Sequence, residues 1–81
     1  MQGVAAYLQV MDWDKLQYFL TVAQQGTLAR AGAALQVDAT TVSRQVSALE
    51  AALQHTLFER APGGFLLTAA GRALVPHAEA M

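Results

Sequence analysis

Apolar residues recur at helical spacing through most of this chain. Leu16, Phe19, Leu20 and Ala23 stand at i, i+3, i+4 and i+7, one stripe of a first helix, and Trp13 one turn earlier extends it. Asp12 is placed to cap that helix, with Asp14 favourable near its positive end. Gly26 follows two glutamines and suits the left-handed conformation that ends a helix. Thr27 then caps a second helix, Leu28 to about Leu35, whose inward positions are Leu28, Ala31 and Leu35. Gly32 costs about 1 kcal/mol against alanine in a helix interior, so the position implies close approach of a neighbouring backbone. In the corner Gln36-Val37-Asp38, Val37 turns inward and Asp38 takes the next N-cap. A left-handed Gln36 there carries strain of the order of 1 kcal/mol.

A third helix is expected from about Ala39 to Leu53. Val42, Val46, Leu49 and Leu53 line its core face. At about 100° per residue, Thr40, Arg44 and Ala51 point almost opposite that face. Ser47 and Ala48 lie to either side of them, with Thr41 and Ser43 on the flanks. The turn Thr40-Thr41-Val42 is wholly β-branched and gains little from helix propensity, so tertiary packing must hold it. Two short apolar runs, residues 56–60 and 65–67, then flank Ala61-Pro62-Gly63-Gly64, a hairpin signal. Thr68 caps a last helix with Ala70, Leu74, His77, Ala78 and Met81 on one face. Pro76 removes one backbone hydrogen bond there, so a kink or loosening is expected.

Helix, corner, helix, with a polar stripe facing out from the longer member, is the shape that enters a groove of DNA. The 81 residues allow one core, and 54 % of them are hydrophobic, much of that alanine. Charge argues the other way: five Lys and Arg against six Asp and Glu give a net −1, whereas nucleic-acid binders are usually basic. The placement of the few cations therefore carries the DNA reading. There is no cysteine, which excludes disulfides and thiolate metal sites and agrees with the expected cytoplasmic location. No apolar run approaches the roughly 18 residues of a membrane span, and the N-terminus lacks the basic region of a signal peptide. Residues 1–10 read as an upstream extension, frayed or disordered, before a domain that opens near residue 11.

Three helices, a two-stranded wing and a trailing helix make a mainly α winged helix-turn-helix. The residues also resemble the LysR-type transcriptional regulators of bacteria. The resemblance spans residues 11–79 and rests on LQYFLTVAQQGTLARAGAAL (16–35), VSRQVSALE (42–50), LFER (57–60) and LTAAG (67–71). It implies a DNA-binding domain over residues 11–67 whose third helix enters the major groove and whose wing touches the backbone or minor groove. It also implies that residues 68–81 begin a linker helix forming a homodimer. In the family an effector-binding domain that senses a small molecule follows; it is expected to be absent from this chain. The sequence departs from the family at Asp38-Ala39-Thr40, where Ser-Gln-Pro or Ser-Gln-Ser is frequent, and at its uncharged wing tip. A glutamine able to read adenine is thus missing, and Ala39 offers only methyl contact.

Each candidate contact has a plainer alternative. Arg44 suits guanine O6 and N7 or a phosphate, against a solvated arginine near Glu50 or another carboxylate. Thr40 and Thr41 suit phosphate or a thymine methyl, against local hydrogen bonds of a first helical turn; Ser43 and Ser47 stand behind them. Thr27 can cap its helix and leave the N-terminal amides facing a phosphate. Arg60, at the opening of the wing, and Arg30, on the second helix, are phosphate candidates, against surface ion pairs. Lys15 and Arg72 read as ordinary surface charges. His55 and His77 are far apart and lack further ligands, so no metal or cofactor is expected. No phosphate loop, nucleophile elbow or spaced carboxylate pair is present, so the chain is not expected to be an enzyme. Two alternatives to a LysR-type reader of double-stranded DNA stay open: a winged helix for protein–protein contact, and the DNA-binding module of a molybdate-type regulator.

Overall fold

The computed structural model describes residues 2–80, with side-chain environments from Asp14 onward. Four helices and one hairpin follow in the order α1 (Gln2–Gln25), α2 (Leu28–Leu35), α3 (Ala39–Leu53), β1 (Phe58–Ala61), β2 (Gly64–Leu67) and α4 (Ala69–Glu79). This is the winged helix-turn-helix expected from the pattern. One expectation changes at the start: α1 begins at Gln2, so Asp12 lies inside the helix and does not cap it. The side chains of residues 1–13 and of Met81 lie outside the described residues, and with them the places expected for Trp13 and Met81.

The core forms where α1, α2, α3 and the wing converge. Phe19, Val22, Ala31, Val42, Val46, Leu49, Leu57, Phe58 and Ala78 are buried in it. Burying each of the larger side chains stabilises by about 1.5–3 kcal/mol. The Phe19 and Phe58 rings meet at 5.4 Å, and Phe58 meets Phe65 edge-on at 6.1 Å, so an aromatic chain runs from α1 into the wing. Val22, outside the stripe read for α1, is almost fully buried. The helix packs against both α2 and α3, so its buried sector is wider than a single i, i+3, i+4 row. Leu53, expected in the core, is instead 38 % exposed. It lines a surface hollow with His55, Leu57, Ala70, Ala73, Leu74 and His77. His77 is likewise exposed, not inward.

The turns follow their residues closely. Gly26 has φ 86° and its amide donates to Val22 O at 2.8 Å, closing α1 as expected. Gln36 takes the strained left-handed conformation (φ 61°, ψ 42°) and ends α2. Gly32 is packed where a Cβ would stand 2.6 Å from Val37 O, the close backbone approach that its place in the sequence implied. Thr68 caps α4 by accepting from the Gly71 amide at 3.0 Å, and its hydroxyl donates to Thr56 O at 2.6 Å. α4 continues through Pro76 to Glu79.

The wing is antiparallel, with Arg60 opposite Phe65 and Ala61 opposite Gly64 across a Pro62-Gly63 turn. Near its tip the wing is tied to the α1–α2 corner, where Phe65 N donates to Gly26 O at 2.9 Å, and its base is closed by Thr68 N donating to Leu57 O at 3.0 Å. Gly64 packs so tightly on the Gly26 carbonyl that a Cβ there would collide with it. The wing is thereby held against the corner where α1 hands over to α2.

Candidate nucleic-acid interface

Helix α3 is built from its buried side outward. Val42 and Leu49 are essentially inaccessible and Val46 nearly so. That anchorage holds the β-branched first turn, which Val42 N closes by donating to Asp38 O at 3.2 Å. Asp38 occupies the N-cap position with extended backbone, but its side chain makes no capping hydrogen bond, contrary to the expectation for it. At the other end Gln54 is left-handed (φ 59°), and His55 N donates to Glu50 O at 3.2 Å.

With the valine and leucine row buried, the 100° step fixes what faces out. Thr40, Arg44, Ser47, Ala48 and Ala51 are all exposed. Thr41 and Ser43, on the two flanks, are half-buried and face different neighbours. Ser43 and Ser47 line a crevice between α3 and the wing, together with Glu50, Arg60 and Phe65, over a floor of Val22, Leu28, Val46 and Phe58. Thr41, on the opposite flank, borders a shallow hollow at the α2–α3 corner with Gly32, Gln36, Val37 and Asp38. Ala39, half-buried, begins the helix.

The remaining candidates sit on elements around this helix. Thr27 Oγ1 accepts from the Arg30 amide at 3.1 Å, the expected cap, and the Thr27 methyl stands beside Gly64 of the wing. Arg30 is exposed, and nothing in the geometry ties its guanidinium to the crevice. Arg60 is exposed on β1, with its guanidinium carbon 5.9 Å from the centre of the Phe65 ring. That is a cation–π contact which holds the side chain along the wing. Arg72 Nη1 donates to Leu67 O at 3.1 Å at the foot of the wing. The structure thus gathers Ser43, Ser47 and Arg60 into one crevice and sets Thr40 and Arg44 one turn apart on the open face beside it.

Sequence reasoning missed Glu50. Its Oε2 accepts from the amides of Leu57 at 2.7 Å and Phe58 at 3.3 Å, so the carboxylate points at the wing and not at Arg44. A long-range bond from side chain to backbone leaves no periodic trace in the sequence. His55 and His77, distant in sequence, line the same hollow. Among the described residues, no group of three or more His, Cys, Asp or Glu side chains is placed to hold a metal ion, and no described helix is long and apolar enough to cross a membrane.

This arrangement has relatives. The fold is similar to the DNA-binding domain of CbnR in complex with DNA, with TM-score 0.80 and 41 % identity over 84 % of this chain and 78 % of that one. It is also similar to the BenM DNA-binding domain bound to benA site 1 DNA, with TM-score 0.79 and 26 % identity, covering 84 % of this chain and 76 % of that one. In sequence it is 43 % identical over 68 residues to the HTH-type transcriptional regulator TcbR of Pseudomonas sp. (strain P51), covering 84 % of this chain and 23 % of TcbR. It is 38 % identical over 68 residues to the regulator ClcR of Pseudomonas putida, with the same coverage of each. The chain thus spans about a quarter of the length of these curated relatives. These relatives are transcriptional regulators, which points away from catalysis and away from both alternative readings. Residues 13–72 match the family described as bacterial regulatory helix-turn-helix protein, lysR family. The chain belongs to the LysR family.

Proposed function

We propose that this chain is the DNA-binding part of a LysR-type transcriptional regulator and reads double-stranded DNA in a sequence-specific way, as a dimer, in the cytoplasm. The observation that carries the reading is the two-sided build of α3. The row Val42, Val46 and Leu49 is buried, while Thr40, Arg44 and Ser47 are exposed opposite it. The likeness to two regulator domains in complex with DNA supports it. In this reading α3 enters the major groove. Arg44 pairs with guanine or clamps a phosphate, and Thr40, Thr41 and the Ala39 methyl make short contacts near the helix start. Ser43, Ser47 and Arg60 face the strand between the major groove and the wing. Thr27 and Arg30 stand at the N-terminal turn of α2 for a further phosphate.

Two copies joined through α4 would place two α3 helices in successive major grooves, about 10 bp or a multiple apart. Small-molecule control would belong to an effector domain of the longer regulator. Selection of bound duplexes from random-sequence DNA by the 81-residue chain tests the reading. Enrichment of a pseudo-palindrome is expected; folded protein that enriches no motif at low salt refutes it. Arg44→Ala should weaken binding to the selected duplex by about 10-fold or more, the worth of one good base contact, with an unchanged melting temperature.

A further inference from the structure

Glu50 presents a puzzle of charge. It lines the same crevice as Ser43, Ser47 and Arg60, where a polyanion is expected, yet it carries a negative charge. An idle carboxylate there would only repel phosphate. Its oxygen, however, is committed to two amides: Oε2 accepts from Leu57 N at 2.7 Å and from Phe58 N at 3.3 Å. These are charge-assisted bonds, stronger than those between neutral groups. The Leu57 peptide is gripped on its other side as well, because its carbonyl accepts from Thr68 N at 3.0 Å. Leu57 itself is 1 % exposed. The strand begins at Phe58, and Arg60 stands two residues along, on the same face of the pleat and opposite Phe65.

We propose that Glu50 is a positioning residue for DNA recognition, which fixes the wing to α3 so that Arg60 engages the phosphate backbone in register with Arg44 and the two serines. Glu50 touches no DNA in this scheme; it acts through the wing. The inference rests on the DNA-binding reading above and deepens it. Two demands distinguish it from a general stabilising role. Reach must matter more than charge, and the effect on binding must pass through Arg60.

Four variants of the 81-residue chain test this against the duplex selected by the unsubstituted chain: Glu50→Gln, Glu50→Asp, Arg60→Ala and the combined Glu50→Asp/Arg60→Ala. Glu50→Gln keeps an oxygen at the same reach without the charge and should bind within about 3-fold of the unsubstituted chain. Glu50→Asp keeps the charge but withdraws the oxygen, and should lose about 10-fold, as Arg60→Ala does. Both should reduce the slope of log K against log salt by about 1 per half-site, the mark of one lost phosphate contact. The combined variant should be no more than about 2-fold weaker than the weaker single variant, because the two substitutions remove the same contact. Unimpaired or tighter binding by Glu50→Asp overturns the proposal. So do losses that multiply to about 100-fold in the combined variant, since they mark independent sites. An unsubstituted chain that binds no duplex would refute the DNA reading itself, an outcome distinct from either of these.

Discussion

Gln36 and Gln54 hold the same left-handed backbone at the two ends of the α3 region, with φ 61° and 59°. Only the first was legible in the sequence. A three-residue corner between two helices demands a reversal at its start, whereas residues 54–57 hold no glycine or asparagine to announce one. Left-handed backbone costs a side-chain-bearing residue roughly 1–2 kcal/mol, part of which glycine recovers. Gln54→Gly should therefore raise stability by about 0.5–1 kcal/mol in urea unfolding, and a lower value would show the glutamine side chain to be favourable where it is. The outward residues Thr40, Arg44 and Ser47 were legible for a geometric reason: a 100° step from a buried row leaves little choice. Glu50 was not, because its partners are amides seven and eight residues away across a loop.

At the level of elements, the α2–α3 corner depends on a missing side chain. A Cβ at Gly32 would face Val37 O at 2.6 Å and Ala39 N at 3.2 Å, both backbone atoms that cannot swing aside. Gly32→Ala should destabilise the fold by about 1–3 kcal/mol, read as a lower melting temperature, despite alanine's better helix propensity. A neutral outcome would mean that α2 and α3 can part without loss. The position in the sequence announced this packing, since glycine inside a helix needs a reason. The fate of Leu53 was less visible. Its 4-residue step from Leu49 continues the buried row on paper, but Leu53 stands 38 % exposed at the rim of a hollow that the buried Leu57 also lines. Periodicity gives the direction in which a side chain points and not where the core ends.

On the scale of the molecule, five cations and six acids leave no broad positive field to draw DNA in. In the proposed reading, affinity comes from a few placed groups and from pairing of subunits. If roughly six phosphates are neutralised per dimer, log K should fall against log salt with a slope of about −5. Tight binding with a slope near zero, measured by titration at several salt concentrations, would contradict that picture. The division of α3 into a buried row and an open one has a consequence beyond binding. In the proposed reading the residues opposite the buried row face DNA and take no part in the core, so exchanges at 40, 44, 47, 48 and 51 disturb no buried side chain. A scaffold of this kind can be retargeted one position at a time, each intermediate remaining folded. In evolution as in the laboratory, its preferred sequence is able to drift while its architecture stays still.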